Sequence, residues 1–277
     1  MPEKKHALWK EQFPLSNKYD PDWVMDNEMG PNALWLTEWL TRDMDLKPGM
    51  RVLDLGCGMA MSSIFLAQNF GVEVWAVDLW VGATDNWTRV RDAGVSGEVF
   101  PLHIEAHALP FGQEFFDAIV SMDAYTYFGT DTMYLNYLMQ FLKPGGQIGI
   151  VVPALTREFE NGRVPEHFTR PADTGEVWWQ PAECCSFRTL PWWEDHWRQT
   201  GLVEIQKADT LENGAQLWGE FLEALDAAGK NRFPFETKPV REDNGRYLGF
   251  VRLIARRQAD TLSISDSATA ERLLKKK

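Results

Sequence analysis

The sequence predicts an α/β protein. We expect a seven-stranded, mostly parallel sheet with helices on both faces, an antiparallel final strand hairpin and a helical N-terminal cap. Three observations carry this. Short apolar runs alternate with helix-length segments from about residue 50 to residue 152, as parallel strands joined by crossover helices do. The run Arg51-Val52-Leu53-Asp54-Leu55 leads directly into Gly56-Cys57-Gly58, which reads as a buried strand and a turn whose glycines let the backbone fold sharply beside a ligand. Two further strand-like runs, 202–208 and 247–255, follow a longer insertion and supply the hairpin.

Composition bounds the class. The 277 residues carry 28 Lys and Arg against 40 Asp and Glu, a net charge of −12. That length suits one elaborated domain, and a negative field disfavours nucleic acid as a partner. Cys57, Cys184 and Cys185 do not make a disulfide framework, so a reducing compartment is expected. The first residues are polar, and no apolar run would span a bilayer. The expectation is a cytoplasmic protein without an integral membrane segment. His103 and His107 show no metal-ligand spacing, so no metal is expected, and the oligomeric state is left open.

Taken in order, residues 1–45 read as the cap. They carry turn signals at Pro14 and Asp20-Pro21 and a helix opening at Pro31, whose Leu36, Trp39 and Leu40 share a face. After the first strand a helix runs from Ala60 to Phe70 and Gly71 closes it; the second strand is 72–78. Thr84 reads as the cap of a helix reaching Ala93. A third strand covers 98–103, a fourth 116–121, a helix 132–142 and a fifth strand 147–152 after the turn Lys143-Pro144-Gly145-Gly146. Residues 153–190 form an irregular, aromatic insertion expected to act as a lid or substrate wall. A helix at 191–200, the hairpin and a second insertion over 211–246, with a helix at 215–228, complete a domain spanning 46–257. A polar tail occupies 258–277.

The chemistry of the glycine turn points away from a pyrophosphate ligand, which wants bare backbone N–H groups. Asp54, two residues before Gly56, would oppose a phosphate and suits a cation. The residues Asp54-Leu55-Gly56-Cys57-Gly58 resemble the first motif of the class I S-adenosylmethionine-dependent methyltransferases, with Ala60 where the third glycine usually stands. Asp78, at the end of the second strand and about 20 residues on, is placed for ribose hydroxyls, with Leu79 and Trp80 at the adenine face. Glu105-Ala106, ahead of Leu109-Pro110-Phe111, resembles the family's adenine-contacting segment, and Lys143 to Gly146 resembles its turn before the fifth strand. Ser121 joins Asp54, Gly56, Cys57, Gly58, Asp78, Leu79, Trp80, Glu105 and Ala106 in the expected cofactor set. The resemblance implies a Rossmann-like sheet, S-adenosyl-L-methionine as cofactor and a small-molecule acceptor. It is nearest to the branch containing phosphoethanolamine, glycine/sarcosine and sterol methyltransferases and cyclopropane-fatty-acid synthases.

The acceptor side is read from position alone, since ligands of open α/β sheets sit beyond the carboxyl ends of the strands. Asp123, Tyr127 and Tyr19 are the candidates to orient or deprotonate an acceptor. Trp23, Glu28, Trp178 and Trp179 are the candidates to line its site; Trp192 and Trp193 are placed nearby. The tryptophans suit either a cation-π cage or plain lid packing. An amine nitrogen is the favoured acceptor. O- or C-methylation, a lipid-modifying cyclopropane synthase, a nicotinamide-dependent oxidoreductase and a non-catalytic cofactor-binding protein are the alternatives.

Overall fold

The computed structural model describes residues 6–172 and 175–259. Seven strands, β1 (Arg51–Leu55), β2 (Glu73–Asp78), β3 (Val99–His103), β4 (Phe116–Met122), β5 (Leu142–Leu155), β6 (Val203–Thr210) and β7 (Leu248–Arg257), form one sheet. Its order is β3-β2-β1-β4-β5-β7-β6. The first five strands pair in parallel and β7 runs antiparallel to both β5 and β6. Between β1 and β4 the order of connection reverses, which opens a crevice at the carboxyl ends of the strands, where open sheets bind ligands.

The helices are α1 (Pro21–Asp26), α2 (Ala33–Thr41), α3 (Met61–Phe70), α4 (Ala83–Asp92) and α5 (Tyr134–Met139), then α6 (Glu166–Thr169), α7 (Pro181–Cys184), α8 (Leu190–Arg198), α9 (Gly214–Ala228) and α10 (Pro234–Asp243). Strands covered on both faces read as continuous apolar runs, yet their side chains still alternate. Val52, Val74, Ala76, Ala118 and Val120 pack into one core with α2, α3 and α9. Leu53, Leu55, Val77, Ile119 and Ile150 pack into another with α5 and α8.

Several local expectations shift for identifiable reasons. Helix α2 begins at Ala33 rather than Pro31, because the Asn32 side chain accepts the first free N–H groups, from Leu34 and Trp35. Gly82, not Thr84, occupies the cap of α4. Helix α5 stops at Met139 because the next carbonyls, of Gln140 and Phe141, accept from Glu114 and Phe116 and begin the β4 pairing. The turn expected at Lys143 to Gly146 lies within the span of β5, where the register with β4 shifts between Phe116 and Ala118. Helix α10 is not among the elements expected over 211–246, a stretch that carries Pro234 and Pro239. Pro234 takes the first helical position, where no N–H is needed, and α10 packs on α9. Trp192 and Trp193 lie on α8 away from the crevice; Trp193 and Trp197 are fully buried at i, i+4 and Trp192 stacks on His196. Of the tail, Gln258 donates its N–H to the Leu202 carbonyl at 3.0 Å; residues from 260 onward lie outside those described. Among the described residues no helix is long and apolar enough to cross a membrane.

Arg252 fastens the β6–β7 hairpin to the end of α2. It is buried, makes two bonds to Asp209 at 2.9 and 2.8 Å, pairs with Asp43 at 2.7 Å, and donates to the Trp39 carbonyl while lying over that indole. Removing one partner of a buried ion pair strands the other charges. Arg252→Met is therefore expected to lower the unfolding free energy by about 3 kcal/mol in a urea titration with unchanged slope. A loss below about 0.5 kcal/mol, the scale of exposed pairs, would show that the cluster is screened.

Candidate active site

The site is built on the turn after β1. Gly56 has φ +77, and a Cβ there would lie 2.2 Å from the Ala124 Cβ, so only glycine fits between β1 and the loop after β4. The N–H groups of Gly56 and Cys57 both donate to the Val77 carbonyl, at 2.8 and 3.1 Å. Asp78 completes the junction. Its Oδ2 accepts from the Gly58 N–H at 2.8 Å, and its Oδ1 accepts from the Trp80 and Val81 N–H groups at 2.7 and 2.8 Å. One carboxylate thus sets the geometry of two loops. From the far side Asn86 on α4 donates to the Gly58 carbonyl at 2.8 Å, and Arg89 bridges Asn86 to Asn27.

Asp54 lies one layer beneath this turn and does not line the crevice. It is fully buried, with Oδ2 accepting from the Ser62 and Ser63 hydroxyls at 2.6 Å each, which explains two consecutive serines in the first turn of α3. Its Oδ1 is buried and without a partner among the described residues. Burial pushes its carboxyl up to about 6, against the pull of the two serines.

Above the turn opens a cavity of about 990 Å³ including its mouth. Gly56, Cys57, Gly58 and Asp78 form one wall, Leu79, Trp80, Ile104, Glu105 and Ala106 another, and Met29, Asp123, Tyr127 and Phe128 close the far end. No Lys, Arg or His is among the described lining residues, which disfavours a pyrophosphate and suits a ligand that is cationic at one end and flat and apolar at the other. Glu105 is held below the usual carboxylate range by the hydrogen bond from His107, 2.7 Å away. Burial, with Asp54 and Asp78 nearby, raises the Cys57 thiol well above its ordinary range, so it packs and does not act as a nucleophile.

A second, larger chamber of about 1740 Å³ adjoins the first and shares Met29, Pro31, Trp80, Asp123 and Tyr127 with it. Asp123 sits at this junction in a left-handed backbone conformation, φ +61, held by its N–H donating to the Val151 carbonyl at 2.8 Å. Its carboxylate reaches toward Gly30, where a Cβ would lie 2.7 Å from Oδ2. Burial raises the Asp123 carboxyl well above its usual range, and the charge of Glu236 adds to this. Tyr127 stands edge-on to Trp80, centroids 5.5 Å apart, with both rings largely exposed at the mouth.

Residues 52–146 match the family model described as a methyltransferase domain. The chain thus carries a methyltransferase domain across this stretch. The strand order, the glycine turn and the acidic end of β2 are the features that the resemblance to the S-adenosylmethionine-dependent family implied. Among curated relatives, 2-methyl-6-phytyl-1,4-hydroquinone methyltransferase of Synechocystis sp. is 29% identical over 58% of this chain and 49% of its own length. Phosphoethanolamine N-methyltransferase 1 of Arabidopsis thaliana is 30% identical over 42% of this chain and 23% of its own. The chain thus spans about half the length of the first and about a quarter of the second. The solved structure of a Galdieria sulphuraria protein, provisionally assigned as a sarcosine dimethylglycine methyltransferase, superposes with a TM-score of 0.65 at 17% identity. That superposition covers 93% of this chain and 94% of that one, a likeness of fold.

The expected site residues divide between the two chambers and the surrounding core. Gly56, Cys57, Gly58, Asp78, Leu79, Trp80, Glu105 and Ala106 line the first cavity, and Asp123 and Tyr127 line both. Ser121 does not: it is buried, with its hydroxyl donating to the Leu55 carbonyl at 2.7 Å to tie β4 to β1. Tyr19 and Trp23 are placed outside both chambers, stacked on each other, with Tyr19 also stacked on Phe65 and its hydroxyl accepting from Asn69. Burial pushes that phenol up to about 12. Glu28 is buried behind the chamber wall, where Oε2 accepts from the Gly30 N–H at 3.0 Å and Oε1 from the Arg232 N–H at 3.2 Å. Trp178 lines the second chamber, whereas Trp179 packs on Phe159 and Phe168. Sequence reasoning misses Asn86, Met29, Trp218, Phe233, Phe235 and Glu236. Only Asn86 has a local signal, a polar residue on the apolar stripe of α4 beside Val90.

Two outcomes follow from this geometry. Gly56→Ala is expected to lose at least about 2 kcal/mol of stability, from left-handed strain plus overlap, and S-adenosylhomocysteine affinity with it; wild-type affinity in calorimetry would show the turn lies outside the site. For Asp54 the folded carboxyl titrates higher than the unfolded one. Its contribution to stability is therefore present below about pH 4 and lost as the pH rises through about 6. The change is about 3 kcal/mol, at about 1.4 kcal/mol for each pH unit separating the folded and unfolded titrations. Without ligand, Asp54→Asn is expected to gain on the wild type between about pH 4 and 6 in paired urea titrations, with the difference constant above that range. A difference independent of pH would assign the titration to another group.

Proposed function

We propose that the protein transfers a methyl group from S-adenosyl-L-methionine to a small-molecule acceptor, and that the acceptor atom is an amine nitrogen. The observation that carries this is the shared wall: the donor cavity and an acid-lined aromatic chamber meet at Asp123 and Tyr127. When bound, the cofactor supplies an electrophilic methyl carbon on a sulfonium. The chain supplies position, a shielded site and control of the acceptor's protons.

Asp78 and the backbone it clamps would orient the ribose, with Leu79, Ile104 and Ala106 against the adenine. The unpartnered Oδ1 of Asp54, one layer down, adds negative potential beneath the amino-acid end of the cofactor. The Asp123 carboxylate has no hydrogen-bond or ion-pair partner among the described residues and is free to accept from an acceptor N–H at the junction. Although part of the Tyr127 ring is exposed, partial burial together with the nearby charges of Asp123, Glu183 and Glu236 raises its phenol above the ordinary range, so it stays protonated and orients an acceptor rather than deprotonating it. The N-methyltransferase among the relatives supports an amine.

Methyl-labelled cofactor offered with amines, phenols, carboxylic acids and thiols tests the reading, with label expected in the amine products. Label appearing only in phenols or acids would replace the acceptor assignment. Cofactor binding without any transfer would favour a binding role. Asp123→Asn is expected to lower kcat about 100-fold, the scale of one proton-handling group, with S-adenosylhomocysteine affinity kept within about threefold of wild type. Unchanged turnover would remove Asp123 from the reaction.

A further inference from the structure

The acceptor chamber holds one buried acid that neither the fold nor the donor cavity uses. Glu236 enters from α10, the helix whose prolines hide it from sequence reading. The Trp178 indole favours the ionised form of its carboxylate, while Oε2 is buried without a partner among the described residues. Aromatic rings of Trp178, Trp218, Phe187, Phe233 and Phe235 form much of the same wall. An ionised oxygen left without a partner in such a place is costly, and a ligand donor would complete it.

The other charges sharpen what that ligand is. Asp123, Glu176 and Glu183 also line the chamber, and Arg232 is the one cationic side chain among its described lining residues. That guanidinium is already engaged: its Nε lies 3.8 Å from Glu28 Oε1 and its Nη2 donates to the Asp26 carbonyl at 3.0 Å. A phosphate monoester would face several carboxylates with no uncommitted cation to meet it. An ammonium among carboxylates and aromatic faces is favoured on both counts.

We propose that Glu236 is the specificity anchor of the acceptor site, holding the ammonium of an amine that carries no phosphate and taking one proton from it, so that the freed nitrogen lone pair can attack the methyl carbon as the sulfonium bond breaks. This rests on the amine reading above and narrows it. The acceptor thereby differs from the phosphorylated amine named for one relative. Burial pushes the Glu236 carboxyl up to about 8, with Glu28 and Glu183 adding to it, so an arriving cation is what stabilises its ionised form.

The test uses the full chain saturated with S-adenosylhomocysteine. Binding of ethanolamine, choline-like and longer alkylamines is followed by the fluorescence of the chamber tryptophans, and methylation is measured separately with labelled S-adenosylmethionine. Each hydroxylated amine is paired with its phosphate monoester. The expected result is at least tenfold preference for the unphosphorylated amine. Glu236→Gln is expected to weaken amine binding and raise KM at least tenfold, with S-adenosylhomocysteine affinity and melting temperature no lower than wild type. Glu236→Asp, which keeps the charge, should retain most of the affinity. Equal losses in both variants would indicate packing and overturn the anchor, as would undiminished amine affinity in Glu236→Gln or a preference for the phosphate esters. If the wild type methylates phenols or acids and binds no amine, the amine reading itself fails and the anchor falls with it; methylation of amines by a fully active Glu236→Gln sinks the anchor alone.

Discussion

The Asp78 carboxylate is the contact on which the donor half of the molecule depends. Three backbone N–H groups from two loops converge on it. Hydrogen bonds to a buried carboxylate are stronger than those between neutral groups, and here they hold the ends of β1 and β2 in one geometry. The Gly56 turn can then run close against Ala124, and Asn86 supports Gly58 from behind. A cavity wall made largely of backbone changes little with side-chain rotamers, which suits a site that must present one ligand in one orientation.

The second chamber follows a different logic. It is assembled from distant parts of the chain, with residues 29–31, 232–236 and 175–187 all contributing to its lining. Glu28 joins the first two by accepting from both Gly30 and Arg232. Asp123 and Glu236 are kept in an apolar surround, where the charge of Glu236 adds to the proton affinity of Asp123. Such an arrangement costs folding free energy, and its placement at the junction of two chambers is the kind of local cost that accompanies binding sites.

The legible and illegible parts of the site separate along the same line. Gly56, Gly58, Asp78 and Glu105 act through contacts a few residues away in sequence, or through the next strand in a repeating pattern, so spacing alone can assign them. Tyr19 and Trp23 are the right residue types but stack on one another and against Phe65, outside both chambers. Trp193, which suits a wall or plain packing from the sequence, is core: it and Trp197, one helical turn on, are buried together in the cluster that includes the sheet residues. Glu236 has no local signal at all, since the prolines flanking it argue against the helix that carries it.

The sequence by itself determined the sheet, its glycine turn and the methyl-donor motifs, because alternation, turn chemistry and the β1-to-β2 interval are properties of neighbouring residues. Only the tertiary structure decided which of thirteen tryptophans and which acids line the second chamber. Those side chains meet across about 200 residues of chain, and their contacts are set by how the two insertions and the N-terminal segment pack, which no local spacing encodes.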